Sequence, residues 1–119
     1  MHTFSQKIIV SEKQTAEYLV SGLLPVFSTP SLVALMENTA MQLINLPDES
    51  SSVGVSINIK HLKASPVGAE ILCEAVLIEI EGRKYKFYVK AYDDKGDLIG
   101  EGTHERIVID IKRFMDKLK

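Results

Sequence analysis

The chain has 119 residues, of which 45% are hydrophobic and 25% charged, and a formal net charge of −2 at pH 7. This length suits one domain with its own core, so residues 1–119 are interpreted as a single domain. The slightly acidic charge offers no basic surface for nucleic acid, and the lone Cys73 excludes an intrachain disulfide and a cysteine-based zinc site. No apolar run reaches the roughly 18 residues of a membrane span, and the first residues lack a signal-peptide pattern. We therefore expect a cytoplasmic protein with neither nucleic-acid nor membrane partners.

The first quarter of the chain contains a predicted strand, a short helix and an apolar loop. Residues 4–10 favour a strand, and residues 12–22 favour a short helix that Gly22 ends. Residues 23–28 read Leu-Leu-Pro-Val-Phe-Ser. An apolar loop of this kind should be covered by a ligand or by a partner subunit.

The most informative stretch is a predicted helix that begins at Thr29 and ends near Pro47. Thr29 is a good N-cap, and Pro30 suits the first helical position, where no N–H is needed. One apolar face recurs at helical spacing and consists of Leu32, Leu35, Met36, Thr39, Ala40 and Leu43. Glu37 falls at the edge of this face, so its carboxylate should be partly buried or line a cleft.

After the helix, the hydrophobic period changes from 3.6 to 2 and predicts four strands. In the first, residues 52–61, apolar residues alternate with polar ones, and His61 shares the parity of the apolar set. The other three strands cover residues 69–81, 84–92 and 98–110. Short connections favour pairing of the four strands in sequential order, and a short basic helix is predicted at residues 111–118.

One long apolar helix and one antiparallel sheet predict a two-layer α+β domain. The sheet wraps around the central helix, which is the hot-dog arrangement. This arrangement leaves one edge strand exposed and the loop of residues 23–28 uncovered. Pairing two subunits edge to edge would cover both, so the pattern favours a homodimer.

Three polar residues belong to elements that should face each other, namely Thr29, Glu37 and His61. A hydroxyl, a carboxylate and an imidazole are suitable groups for the hydrolysis of an acyl group. Eight residues along a helix correspond to about 12 Å of rise, so Thr29 and Glu37 do not touch on one helix. They can meet only around a substrate, from the same or from opposing subunits. Each residue also has a structural interpretation, as an N-cap, a boundary carboxylate and a hydrogen-bonded core histidine.

Other residues have simpler interpretations when each is taken alone. Gly54 is a strand glycine at a bulge, although a backbone N–H beside it could also stabilise an oxyanion. Cys73 is a buried core residue. The segment His104-Glu105-Arg106 is interpreted as a charged strand end. The residues by themselves therefore predict an α+β domain with an acid–base cleft.

Three blocks of sequence, in the same order, resemble the fluoroacetyl-CoA thioesterase family of hot-dog proteins. They are residues 29–37, residues 52–61 followed by 64–68, and residues 100–106. The resemblance implies that Thr29, Glu37 and His61 are catalytic and that Gly54 lies near the thioester. It also implies hydrolysis of acyl-CoA thioesters by dimers whose sites lie at the subunit interface.

The lid before the helix departs from the pattern of that family. Phe27 remains, but Leu23 stands where the family enzyme has an aromatic residue, so both are predicted substrate contacts with altered selectivity. Arg106 is a further predicted substrate contact. The candidates for the phosphates of coenzyme A are Lys60, Lys63, Arg83 and Arg106.

The expected function is therefore hydrolysis of a short-chain or aryl acyl-CoA to the free acid and coenzyme A. No cofactor or metal is expected, because coenzyme A is part of the substrate. Two alternatives stay open, a non-catalytic acyl-CoA-binding module and a hot-dog enoyl-CoA hydratase. The expected assembly is a homodimer with active sites at the interface, and a higher oligomer is the alternative.

Overall fold

The computed structural model describes residues 2–119 and contains one five-stranded antiparallel sheet. The strands are β1 (His2–Ile9), β2 (Ser50–His61), β3 (Glu70–Glu81), β4 (Lys84–Tyr92) and β5 (Leu98–Asp110). The helices are α1 (Ala16–Leu19), α2 (Thr29–Met41) and α3 (Ile111–Asp116), with a 3₁₀ turn at Glu12–Gln14. The α+β architecture with one long helix against one sheet is therefore as predicted. None of the helices in this part of the chain is long and apolar enough to cross a membrane.

The central helix α2 lies on the sheet through the face that its sequence predicts. Its buried residues are Leu32, Leu35, Met36, Thr39 and Ala40. A Cβ on Gly100 of β5 would lie 2.7 Å from Cδ2 of Leu32, so glycine there allows the helix to approach the strand closely. Leu43 lies beyond the helix end and is only partly buried, while Glu37 is half-buried at the edge of the face, as expected.

The order of strands across the sheet is β1-β3-β4-β5-β2, which contradicts strictly sequential pairing. Strands β3, β4 and β5 do pair in sequence, but β2 pairs with β5 and β1 pairs with β3. The connection from β2 to β3, residues 62–69, is not a hairpin. It forms backbone hydrogen bonds with Phe27 and Val10 instead, and so carries the chain from one side of the sheet to the other. As a result, β2 is an edge strand with one unpaired side.

The start of α2 differs from the prediction by one residue. The N-cap is Ser28, whose Oγ accepts a hydrogen bond from the backbone N–H of Ser31 at 3.1 Å. Ser28 and Thr29 are adjacent and both are good capping types, so the sequence could not separate them. Thr29 is the first helical residue, and its hydroxyl is left for another partner.

The segment before α2 is less helical and less exposed than predicted. Residues 12–22 contain a 3₁₀ turn and the single-turn α1, because the buried Thr15 ends the first and caps the second by accepting a hydrogen bond from the N–H of Tyr18. In the following loop, Leu23 is 92% exposed, whereas Phe27 is 1% exposed. Only the first part of the apolar loop is therefore uncovered within one chain.

The capping assignment gives a stability prediction. Ser28→Ala should lower the free energy of unfolding by about 1 kcal/mol, because the N–H of Ser31 loses its partner. Thr29→Ala removes no cap, so the Ser31 amide should keep its parent protection from hydrogen exchange in that variant and lose it in Ser28→Ala. Urea unfolding at one protein concentration measures the loss of stability in Ser28→Ala, and a Ser31 amide that is exposed by Thr29→Ala but not by Ser28→Ala would contradict the assignment.

Candidate active site

The start of α2 and the end of β2 bring Thr29 and His61 together. Oγ1 of Thr29 lies 2.8 Å from Nδ1 of His61, which is a hydrogen-bond distance. The imidazole packs edge-on against Phe27, with ring centroids 6.4 Å apart. Packing of this kind fixes the ring plane, so the hydroxyl and the imidazole are held in one geometry. A hydroxyl paired with a histidine is the arrangement of an activated nucleophile and its base.

The environment of His61 favours the neutral ring. Burial lowers its pKa from the usual 6.5, and the backbone of Lys63 opposes this in part. A neutral imidazole at pH 7 can accept the proton of Thr29. Its second nitrogen, Nε2, is buried and has no hydrogen-bond partner in residues 2–119. An unpaired buried polar atom costs about 1–3 kcal/mol, and such atoms often mark a place where a ligand or water binds.

A pocket of about 300 Å³ opens beside this pair. Thr29, His61, Phe27 and Lys63 line it together with other residues of the segments 26–30 and 61–64. This volume is at the lower end of the roughly 300–1,000 Å³ of small-molecule sites. Leu23, a predicted substrate contact, is not among the residues that line the pocket, and its side chain is exposed to solvent.

Lys63 was a candidate for a coenzyme A phosphate, and its contacts disfavour that role. Its Nζ lies 2.6 Å from Oδ2 of Asp93 and 2.7 Å from Oδ2 of Asp97. These two carboxylates hold the pKa of Lys63 well above its usual range. The local charge of the trio is negative, so the ammonium group positions the β4–β5 loop beside the pocket rather than attracting an anion.

Glu37, in α2, is not close to the Thr29–His61 pair. Its carboxylate lies beside Gly54 of β2 instead. A Cβ on Gly54 would lie 2.7 Å from Oε2 of Glu37, 3.2 Å from Cε1 of His104 and 3.5 Å from Nη1 of Arg106. Gly54 is opposite Arg106 in the β2–β5 ladder, and a β-bulge follows it, as the sequence suggested. Within one chain, therefore, the three predicted catalytic residues form two groups. About 12 Å of helix rise separates Thr29 from Glu37.

The interpretation of His104-Glu105-Arg106 as a charged strand end is wrong. His104 is 1% exposed and Arg106 is 7% exposed. Gly100 lies on the face of β5 that packs against α2. Because side chains alternate between the two faces of a strand, His104 and Arg106 point to the same face, towards the helix. That alternation was the signal in the sequence that could have identified them. The burial of Arg106 also removes it from the surface candidates for a coenzyme A phosphate.

Hydrogen bonds hold the Arg106 guanidinium in place. Nε donates to Oγ of Ser52 at 2.8 Å, and Nη2 donates to the Ser52 carbonyl at 3.0 Å. Burial lowers the pKa of Arg106, and the negative charge of Glu37 raises it. An arginine stays protonated under these conditions because its pKa starts so high. The cluster therefore presents a fixed positive charge near the Glu37 carboxylate.

The single cysteine has no part in this chemistry. Cys73 lies in the core, as predicted, and burial raises the pKa of its thiol to about 11. A thiol with this pKa is protonated at neutral pH and is a poor nucleophile. Among residues 2–119, no group of three or more His, Cys, Asp or Glu side chains is arranged to hold a metal ion.

Comparison with known proteins places these observations in one family. The profile of the family described as "Fluoroacetyl-CoA-specific thioesterase" matches residues 10–112. A fluoroacetyl-CoA thioesterase from Streptantibioticus cattleyicolor is 36% identical over 96 residues, which span 79% of this chain and 68% of that protein.

Solved structures agree with the sequence comparison. A structure of the fluoroacetyl-CoA thioesterase superposes with a TM-score of 0.93 at 31% identity, covering 98% of this chain and 92% of the other. A variant of that enzyme in complex with fluoroacetate and CoA gives 0.89 at 31% identity, covering 95% and 96%. A Thermus thermophilus protein of the thioesterase superfamily shares the fold, with a TM-score of 0.89 at 24% identity, covering 98% and 90%.

The fold and these relatives together define a hot-dog enzyme of the thioester hydrolase class. The chain belongs to the fluoroacetyl-CoA-specific thioesterase family. The hot-dog fold and the family expected from the sequence are both confirmed.

The close approach of Glu37 to Gly54 gives a prediction that separates activity from stability. In Gly54→Ala the new methyl group would lie 2.7 Å from Oε2 of Glu37, at the end of a flexible side chain, and 3.2 Å from Cε1 of His104, which must yield slightly. The free energy of unfolding should therefore fall by only about 1–2 kcal/mol, because strain against the His104 ring is partly offset by the advantage of alanine over glycine in a strand. Thioester hydrolysis should fall by roughly 10-fold or more, because a misplaced catalytic group is costly.

The matched control is Ser51→Ala, at an exposed position of the same strand. It should keep both the parent midpoint in thermal unfolding and the parent rate. If Gly54→Ala hydrolyses thioesters as fast as the parent, the position of the Glu37 carboxylate does not matter for the reaction.

Proposed function

We propose that this protein is an acyl-CoA thioesterase that hydrolyses a short-chain or aryl acyl-CoA to the free acid and coenzyme A. The observation that carries the proposal is the 2.8 Å contact between Thr29 and His61 at the mouth of a pocket. No cofactor beyond the substrate is required by this chemistry. The lone, buried Cys73 suits work in the reducing cytoplasm.

The geometry supports a role for each member of the Thr29–His61 pair. The Thr29 oxygen attacks the thioester carbonyl carbon, and its proton passes to Nδ1 of His61. The tetrahedral intermediate then expels the coenzyme A thiolate, which takes this proton and leaves an acyl ester on Thr29. Thr29 is the first residue of the 13-residue α2, so the partial positive charge of the helix start lies near the developing oxyanion.

Glu37 suits the second half of the reaction. Its carboxylate is half-buried and forms no salt bridge within the part of the chain that the structure describes. An unpaired carboxylate beside the backbone of Gly54 can hold a water molecule and accept its proton. The hydroxide attacks the acyl ester, the acid leaves, and the Thr29 oxygen regains its proton.

Both halves of the reaction need one site, and a second subunit supplies it. Strand β2 is at the sheet edge and paired with β5 on one side only. If two copies pair antiparallel along β2, the His61 end of one strand lies towards the Gly54 end of the partner strand. The partner subunit's Glu37 then approaches the Thr29–His61 pair. The proposed enzyme is a homodimer with two sites at the interface.

The dimer has a direct test in solution. Sedimentation at micromolar concentration should give about twice the 13.3 kDa mass of the chain. A parent protein that sediments as a monomer while it hydrolyses thioesters would exclude the shared site.

The activity is tested by release of free thiol from fluoroacetyl-, acetyl-, butyryl- and phenylacetyl-CoA, with His61→Ala as the control. The parent should release thiol, and the variant should lose roughly 10²-fold or more in kcat, as the loss of a general base does. In a parallel assay with an enoyl-CoA, loss of its double bond without thiol release would support a hydratase instead. Tight binding with neither reaction would support a binding module.

The same panel tests the acyl selectivity. Leu23 is aliphatic and exposed, so the chain lacks an aromatic lid at that position. A plain apolar pocket separates similar acyl groups by only about 10–200-fold. We therefore expect kcat/KM for fluoroacetyl-CoA to exceed that for acetyl-CoA by no more than this range. A preference above about 10³-fold would show that a feature other than an apolar pocket or an aromatic residue at position 23 discriminates the fluorinated acyl group.

The lowered pKa of His61 predicts the pH dependence of hydrolysis. Only the neutral ring can accept the Thr29 proton, so kcat/KM should rise with pH through the pKa of the free enzyme and then level off. Because burial lowers that pKa, the midpoint of the rise should lie below 6.5. A midpoint above 6.5 would mean that the folded protein favours the charged ring, contrary to its burial.

A further inference from the structure

Next to Glu37 lies a buried histidine that the mechanism above does not use. We propose that His104 is a positioning residue, which fixes the Arg106 guanidinium and the backbone at Gly54 so that the Glu37 carboxylate is held in its working place. This inference rests on the proposed function, because it assigns His104 a role through Glu37. It concerns a residue that touches neither substrate nor the reacting atoms.

The hydrogen bonds of His104 fix one tautomer of its ring. Nδ1 lies 2.7 Å from the carbonyl oxygen of Ser56, which can only accept, so Nδ1 carries the proton. Nε2 lies 3.2 Å from Nη1 of Arg106, which can only donate, so Nε2 is unprotonated. Both ring nitrogens are therefore used, and the ring is neutral.

The charges around His104 agree with a neutral ring. Burial lowers its pKa, the Ser56 carbonyl raises it and Arg106 lowers it, while Glu37 and Glu105 raise it weakly. The ring also stacks on Phe87, with centroids 6.2 Å apart and planes inclined by 28°. Stacking fixes the plane in which the two hydrogen bonds lie.

His104 completes the support of a buried cation. Ser52 holds Nε and Nη2 of Arg106, and His104 accepts from Nη1, so each nitrogen of the guanidinium has a partner. Removing one acceptor from a buried charged group is expensive, and the group moves to find another. Nη1 is also the nitrogen near the place where Gly54 and Glu37 meet. Losing His104 therefore shifts the positive charge that faces Glu37.

The second hydrogen bond of His104, from Nδ1 to the Ser56 carbonyl, fixes the backbone of β2. Ser56 is the residue at which the β2–β5 register resumes after the bulge that follows Gly54. A bulge leaves the ladder locally disrupted, and a side chain that binds a carbonyl beside it keeps the bend in one form. His104 is in register with Ile57, so it reaches Ser56 across the same pair of strands. The backbone that faces Glu37 is thereby fixed from two sides.

Three variants separate this role from a general loss of stability. His104→Phe keeps a ring against Phe87 but removes both hydrogen bonds. His104→Gln keeps an acceptor for Arg106, because its amide oxygen can take the place of Nε2. The control is Ile71→Val, a truncation of a buried side chain in β3, which β4 separates from β5. It should lower the midpoint of thermal unfolding and leave kcat of the folded enzyme unchanged.

We expect His104→Phe to lower kcat by about 10- to 100-fold with KM changed less than threefold, as a misplaced catalytic group would. His104→Gln should recover most of this loss. A His104→Phe protein that is folded and has the parent kcat would overturn the inference. So would a kcat loss in His104→Gln as large as that in His104→Phe, because an acceptor for Arg106 would then be irrelevant.

A double-variant cycle with Glu37→Gln tests whether His104 acts through Glu37. If it does, His104→Phe should lower the residual rate of Glu37→Gln by less than threefold, since the carboxylate it positions is already gone. Additive losses would show that His104 acts independently of Glu37. A Glu37→Gln enzyme with the parent rate would instead contradict the proposed function itself, which distinguishes the two failures.

Discussion

The rigid helix α2 sets the constraint on which the rest of this structure depends. It places Thr29 and Glu37 eight residues apart, about 12 Å along its axis. Its buried face fixes it against the sheet, so neither residue can move towards the other without loss of core contacts. The sheet then supplies each residue with its own partners, His61 at one end of β2 and Gly54 near the other. One chain therefore contains two separate parts of a hydrolytic site. One part has the Thr29–His61 pair and lacks a carboxylate, and the other has the Glu37 carboxylate and lacks a nucleophile.

The two halves differ in their electrostatics, and the difference suits their separate roles. At the first, burial keeps His61 neutral and ready to accept a proton. At the second, a buried arginine supplies a permanent positive charge close to a carboxylate. The cost of burying that charge is offset by its hydrogen bonds to Ser52 and His104. Buried polar groups with all their partners satisfied specify one geometry, which a preorganised site requires.

Much of the fold follows from the sequence, because hydrophobic periodicity reports the buried face directly. The buried residues of α2 and the alternation of β4 are examples, since burial of apolar surface determines both. The partner of β2 did not follow, because pairing depends on the path of residues 62–69 rather than on local pattern. The capping residue was missed because Ser28 and Thr29 are adjacent and both of types that favour the N-cap, and Pro30 falls in the first helical turn after either. With the cap assigned to Thr29, the sequence did not predict that the Thr29 hydroxyl is free to form a hydrogen bond with His61.

The polar residues of the site were harder to interpret than the apolar core. Thr29, Glu37 and His61 stood out because their residue types suit acyl hydrolysis and because the family resemblance aligned them. His104 and Arg106 did not, because charge suggested exposure while the alternation of β5 indicated the reverse. For a charged residue, strand parity and the presence of partners decide burial, and the partners are visible only in three dimensions.

The central claim is that each site combines Thr29 and His61 of one subunit with Glu37 of the other. The most direct test mixes two inactive variants, His61→Ala and Glu37→Gln, and lets their subunits exchange. Each mixed dimer then contains one complete site, and a statistical mixture has mixed dimers as about half of its molecules. The account predicts that thioesterase activity returns to about one quarter of the parent value on mixing. A mixture that exchanges subunits, yet is no more active than the average of the two separate variants, would contradict it.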